Sequence, residues 1–220
     1  MKVFAALLLL TLALPATAQQ TAAPSIKAGG VNLTSDPDDV EFCKVLGPVQ
    51  GKSGWNCELG ASDIENNVRK RAAALGGNVV GEYHLECGFI PKGSGKAYFC
   101  TTEDLEKQAR KLAALVESAN RKIACTAGAD CEFKWSRAMQ WLQTHCAWKF
   151  RNVTDTLITT EGPMDTSKPA FEVIKMASGD GKTYQISMRP SCGQGCSEKD
   201  YLRLRAAFGD FVLAPPTPSN

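Results

Sequence analysis

Ser62-Asp63-Ile64-Glu65-Asn66-Asn67-Val68-Arg69-Lys70-Arg71-Ala72-Ala73-Ala74-Leu75-Gly76-Gly77-Asn78-Val79-Val80 reads as a helix that stops and hands over to a strand. Ser62-x-x-Glu65 is a capping box, in which the Ser hydroxyl accepts from the N3 amide and Glu65 reaches back. Ile64, Val68, Ala72 and Leu75 then recur at helical spacing. Gly76-Gly77 supplies the left-handed conformation that closes a helix. From Asn78 to Ile90, Val80, Tyr83 and Leu85 alternate imperfectly and predict a strand. Working outward, Val40 to Val49 predicts a preceding strand and Gln50 to Trp55 a loop. Pro91 to Gly95 predicts a turn, and Lys96 to Cys100 a returning strand. The result is a β-α-β-β module over residues 38–101.

The next stretch predicts one long connecting helix over residues 102–124. Leu105, Ala109, Leu112, Val116, Ala119 and Ile123 alternate spacings of four and three, the seam of about three heptads. A second module follows over residues 125–213. Asp130 is its expected N-cap, and Trp135, Ala138, Met139, Leu142 and Cys146 share one helical face. A strand starts at Trp148 and slips phase before Thr154 to Thr160, and Phe171 to Met176 forms a second. Ser178-Gly179-Asp180-Gly181 is a turn. Tyr184, Ile186 and Met188 then alternate as a half-buried strand. Ser197-Glu198-Lys199-Asp200 resembles a capping box before a helix with Tyr201, Leu204, Ala207 and Phe208. The order is α-β-β-β-α. The predicted fold class is therefore α+β: two small disulfide-stapled modules joined by a long helix.

The first residues have the form of an export signal over residues 1–18. Lys2 is the positive start, Val3 to Leu14 the apolar run, and Ala16-Thr17-Ala18 a small-x-small cleavage site. The run is too short for a membrane span. No cysteine stands immediately after the cleavage site, where Gln19 follows Ala18, so lipid anchoring is not expected. Residues 19–37, rich in Ala, Gly, Ser and Thr, predict a flexible linker. Residues 214–220, with Pro215, Pro216 and Pro218, predict a disordered tail. These features together predict a periplasmic or secreted protein. The formal charge is +2. Neither module carries the basic excess that binding to a phosphate backbone needs, so nucleic acid and anionic lipid are not expected partners.

The chain has 9 cysteines. In an oxidising compartment they pair, and an odd count leaves at least one over. Local pairing predicts Cys43–Cys57, Cys87–Cys100, Cys125–Cys131 and Cys192–Cys196, with Cys146 free or bridging to another chain. Chain entropy puts each at about 2 to 3 kcal/mol. Cys192-Gly-Gln-Gly-Cys196 is loosely spaced for zinc, and only His84 and His145 could add nitrogen ligands. No Cys-x-x-Cys is present, so neither a metal site nor a redox dithiol is expected.

Leu46-Gly47-Pro48-Val49-x-Gly51, Cys57, Arg69-Lys70-Arg71-Ala72-Ala73, Gly77-Asn78-Val79-Val80, Cys87 and Cys100 resemble the Rcs-pathway stress-sensing outer-membrane lipoprotein and related small envelope domains. The resemblance covers about a third of the chain and implies a β-α-β-β layout with structural disulfides. This chain departs from it in lacking the lipobox cysteine. The run Cys125…Cys131-x-x-Lys134-Trp135…Ala138…Trp141 with Thr154-Asp155-Thr156-x-Ile158-x-Thr160 is similar to uncharacterised exported proteins of Gram-negative bacteria.

No catalytic constellation emerges. His145 and Cys146 are chain neighbours and would point about 100° apart on a helix, so a dyad between them is not expected. Nothing in the spacing of Asp63, Glu65, Asp155, Glu161 and Asp165 singles out an acid–base pair. Gly93-Ser94-Gly95 and Gly193-Gln194-Gly195 lack a phosphate-loop pattern. No cofactor is expected. Three readings remain. The first is a non-catalytic binding or envelope-sensing module whose partner is an envelope protein or ligand. The second is a thiol- or carboxylate-dependent envelope hydrolase. The third is a homodimer built on the Leu105–Ile123 seam.

Overall fold

The computed structural model describes residues 30–54, 57–164, 168–193 and 195–215. The predicted export signal, most of the predicted linker and the predicted tail beyond Pro215 lie outside them. The fold is α+β, with four α-helices and two sheets among the described residues, and it divides into two units at Thr101/Thr102.

Unit 1 contains β1 (Asn32–Leu33), a 3-10 turn (Pro37–Val40), β2 (Lys44–Lys52), α1 (Cys57–Ala74), β3 (Val79–Glu86) and β4 (Lys92–Phe99). Its sheet runs in the order β1-β3-β4-β2. Part of the predicted linker is thus built into the unit. β1 pairs parallel with β3, and Val31 is buried beside Val49, Val68, Val80 and Ala97. The strand expected from Val40 starts instead at Lys44, behind the turn that buries Val40 against Val79 and Tyr98. Successive residues of β3 point to opposite faces. Val80 therefore meets α1's side of the sheet while Val79 meets Val40.

α1 starts at Cys57, five residues before the predicted cap, and Ser62 lies inside it. The predicted stop is present. Gly77 N–H donates to Ala72 C=O (2.8 Å) and Gly76 N–H to Ala73 C=O (2.9 Å), with Gly76 at φ 81°. That is the two-bond closure of a Schellman motif.

Gly51 and Gly93 were expected in a loop and a turn, yet they face each other across β2 and β4. A Cβ on Gly51 would lie 2.5 Å from the Ile64 carbonyl oxygen, and one on Gly93 would lie 2.6 Å from an Ile64 methyl. The bare pair lets α1 sit close on the sheet. Gly51→Ala is expected to cost about 1 to 3 kcal/mol through overpacking, read as a lower urea midpoint. An unchanged midpoint would show that α1 can lift without loss.

Unit 2 contains α2 (Thr102–Ala119), β5 (Ile123–Thr126), α3 (Ala129–His145), β6 (Phe150–Val153), β7 (Leu157–Thr160), β8 (Ala170–Ala177), β9 (Thr183–Ser191) and α4 (Glu198–Leu213). Its sheet is antiparallel, in the order β5-β9-β8-β7-β6. The predicted connecting helix belongs to this unit. It ends at Ala119, and Ile123 is a buried strand residue opposite Ile186 rather than the last member of the seam. The slipped strand is two strands, β6 and β7, paired as a hairpin.

Asp130 does not cap α3, whose N-cap is Gly128. Its carboxylate accepts from Thr126 N–H (2.8 Å), closing the β5–α3 turn. The capping box at Ser197 and Asp200 is complete. The core gathers Trp135, Trp141, Leu142, Ile158, Phe171, Val173, Ile186 and Phe208 from both layers. Arg137 ties α3 to α4: its guanidinium donates to Phe211 C=O (2.8 and 2.6 Å) and lies 4.2 Å from the Phe211 ring centroid.

Two of the four disulfides differ from those that local pairing predicts, Cys43–Cys57 and Cys87–Cys100. The bonds are Cys43–Cys100, Cys57–Cys87, Cys125–Cys131 and Cys192–Cys196. The sheet order explains the exchange. Cys43 and Cys57 lie beyond opposite ends of β2, whose 9 residues span about 30 Å at roughly 3.3 Å each. A bridge needs Cα atoms within about 7 Å, so Cys43–Cys57 cannot form. Cys87 sits at the β3–β4 tip and Cys100 at the open end of the same hairpin, which separates them in the same way. Because Lys44 pairs with Phe99, Cys43 falls opposite Cys100 at a Cα distance of 4.6 Å.

Candidate functional site

The residues singled out for chemistry do not converge. Cys146 is the free cysteine among the described residues. It is half-buried at the C-cap of α3, packs on the unit 2 core and accepts from Trp148 N–H (3.3 Å). The His145 ring instead stacks on the Trp141 indole, with centroids 4.3 Å apart and planes 4° apart. Its Nδ1 lies 2.9 Å from Trp141 C=O and 2.8 Å from Thr144 Oγ1. His84 is exposed on β3. Glu65 pairs with Arg69 (3.5 Å) on α1. Asp63 lines a polar hollow with Lys52, Asn66, Asn67 and Lys70. Asp165 and Gln194 lie outside the described residues. Among the described residues, no group of three or more His, Cys, Asp or Glu could hold a metal ion. No helix among them is long and apolar enough to cross a membrane.

Unit 1 holds one charge cluster that spacing did not reveal. β3 bulges between Gly81 and His84, and Glu82 adopts φ 54°, a left-handed conformation uncommon outside glycine. Lys96 Nζ donates to both Glu82 oxygens (3.0 and 2.9 Å), and Tyr98 OH donates to Oε1 (2.9 Å). The hydrogen bond from Lys96, then that from Tyr98, holds the Glu82 carboxyl below its ordinary value. Burial, then the bond to Glu82, raises the Tyr98 phenol. The sign for Glu82 is fixed by its depressed folded value. Its contribution to stability is present above the unfolded carboxylate value and is lost as pH falls through the folded one. An NMR titration is expected to place Glu82 below the ordinary glutamate midpoint, and Lys96→Met is expected to move it back up. An unmoved midpoint in the variant refutes the clasp.

The most site-like feature is a groove in unit 2 beside β9. Two hollows of about 80 and about 590 Å³ share Ser187, Met188 and Arg205 and so run together. Asn120 and Arg121 line the smaller hollow; Met176, Arg189, Pro190 and Tyr201 line the larger. The groove exists because β5 is short. It covers β9 only from Thr183 to Ile186, leaving Ser187 to Ser191 unpaired on that side.

Three arginines therefore face one channel, and among its described lining residues there is no carboxylate. Arg121 reaches out to Asp210 (2.8 Å) and Arg189 to Glu172 (3.7 Å). Arg205 donates only to the neutral Asn120 side chain (3.0 Å) among the described residues. The balanced charge of the chain hid this patch, because Arg121 lies before β5 and Arg205 on α4. Only the fold brings them together.

Comparisons with protein-family models, with curated proteins and with solved structures find no match to this chain.

Proposed function

We propose that the chain is an exported, disulfide-braced binding or sensing module of the bacterial envelope, and that its working surface is the β9 groove. Export is supported by Lys2, the apolar run to Leu14 and the Ala16-Thr17-Ala18 site. Four disulfides fit an oxidising compartment. The envelope setting rests on the sequence resemblance described above. The observation that carries the binding role is the channel lined by Arg121, Arg189 and Arg205 with no carboxylate among its described lining residues. A concave surface with a few convergent polar groups is the usual form of a ligand site.

A photo-crosslinking amino acid placed at Met176, exposed on the rim of the groove, tests this in intact cells. Specific adducts are expected from Met176 and none from a control position at Glu103 on α2. Equal labelling from both positions would remove the groove from consideration.

A second reading is favoured by α2. Leu105 (49% exposed), Leu112 (37%) and Val116 (38%) lie along its outward face with the exposed Ala109. An apolar stripe left open in this way fits pairing with a second copy. Sedimentation is expected to show a dimer that Leu112→Glu converts to monomer. A monomer at every concentration rules this reading out.

A further inference from the structure

The alternation of hydrogen bonds along β9 defines what the groove can bind. Ala127 N–H donates to Lys182 C=O (2.9 Å), so the even-numbered backbone groups at this end of the strand aim toward β5. Ser178 N–H donates to Thr183 C=O (2.8 Å), so the odd-numbered groups aim toward β8. In an antiparallel ladder this parity persists along the strand. Beyond Ile186, Met188 and Pro190 therefore aim at the side that β5 has left open. Met188 offers one N–H and one C=O there. Pro190 offers a C=O only, and its missing N–H costs the β8 ladder nothing.

The open edge has one closed end. The segment from Asn120 to Lys122 enters β5 at Ile123 and walls the groove beside Ile186. A strand added along Met188 and Pro190 cannot keep pairing past that wall, so its chain either turns away or ends there, and a free end fits without a turn. Laid antiparallel to β9, as β5 is, it arrives with its C-terminus at the wall. Laid parallel, it arrives with its N-terminus. The wall carries Arg121, and Arg205 stands beside it. Arg121 is shared with Asp210, whereas the Arg205 guanidinium meets only the neutral Asn120 side chain among the described residues and selects a carboxylate over an ammonium. The hollow of about 80 Å³ at that end has room for a terminal carboxylate, whereas the hollow of about 590 Å³ can take side chains among Met176, Tyr201 and Pro190.

We propose that unit 2 binds the free C-terminus of an extended peptide by strand addition to β9. One peptide residue exchanges both hydrogen bonds with Met188, and a residue two positions earlier donates to Pro190 C=O. Arg205, with Arg121 beside it, receives the terminal carboxylate. This rests on the groove being the working surface, and it names the ligand class. Main-chain bonds supply affinity in this mode, while pockets for alternate side chains supply selectivity.

The probe is a pool of synthetic decapeptides, tethered by their N-termini, with free C-termini and the last five positions randomised. Selected sequences are resynthesised with a fluorophore and titrated against the full exported chain. Amidation of the C-terminus is expected to weaken binding by about tenfold or more, since a charge-assisted contact is lost. Arg205→Gln is expected to match that loss and to make free and amidated peptides equivalent. Asn120→Ala breaks the same Arg205–Asn120 hydrogen bond without removing charge and is expected to retain the preference for a free carboxylate.

N-methylation of the peptide residue opposite Met188 is expected to weaken binding by about tenfold, and methylation one residue along much less. This arm leaves the protein untouched, so a misfolded variant cannot imitate it. If no decapeptide is enriched, the proposal is wrong. It is also wrong if amidated peptides bind as well as free ones, or if Arg205→Gln binds both as wild type does. In those last two cases a peptide still binds, so the binding role survives while the C-terminal assignment does not. Crosslinking from Met176 judges the groove separately.

Discussion

Replacing Cys43 and Cys100 together by Ala is expected to destabilise unit 1 by about 4 kcal/mol, from the chain entropy released when a bridge spanning 57 positions is cut. The same treatment of Cys125 and Cys131, 6 positions apart, is expected to cost about 2 kcal/mol. A core as small as that of unit 1 supplies only about 3 to 5 kcal/mol of net stability. The first double variant should therefore lose unit 1 outright, and limited proteolysis should cut within residues 30–101 while sparing unit 2. The Cys100 side chain is also buried beside Val40, Val79 and Tyr98, so truncation adds a small cavity. Equal protease resistance in the two double variants would show that the span of the loop does not govern stability here.

Trp141→Ala is expected to cost about 3 to 5 kcal/mol. The indole is 1% exposed at the centre of unit 2. The rings of Phe171 and Phe208 meet it edge-on, each with centroids 5.4 Å away. The first comes from the sheet and the second from α4, so the three rings join both layers. Deleting the indole removes its transfer free energy and leaves a void that two edge-on aromatic rings cannot fill by small shifts. It also strips His145 of the surface on which it stacks. Urea unfolding followed by far-UV circular dichroism should show the unit 2 midpoint falling while that of unit 1 holds. A cost below about 1 kcal/mol would mean the core collapses around the gap.

Periodic features were legible in the sequence because they are local. The face of α1 through Ile64, Val68 and Ala72, the two-glycine stop and the Ser197 capping box all appear where spacing placed them. Features that depend on distant pairing were not legible. Gly51 looked like a loop residue because its partner is Gly93 and its constraint is Ile64. Four residues of β5 carried too short a pattern to separate from the preceding helix, and their strand identity comes from β9. Asp130 has the chemistry of a cap but satisfies Thr126 instead. The β9 groove had no sequence signal, because it is defined by where β5 stops. Pro190 was the available hint. A proline inside an alternating strand points to an edge whose outward N–H is not needed.

The nesting of Cys57–Cys87 inside Cys43–Cys100 bears on how the molecule is made. On the export proposed above, a polypeptide threaded N-terminus first would deliver Cys43 and Cys57 to an oxidant well before Cys87 and Cys100 arrive. Oxidation in order of arrival would join the early two to each other, which the finished sheet forbids. Maturation along that route would call for a catalyst that reshuffles sulfur bonds. In a host lacking such an isomerase, the oxidised product is then expected to accumulate as scrambled, protease-sensitive forms that a thiol–disulfide buffer can rescue.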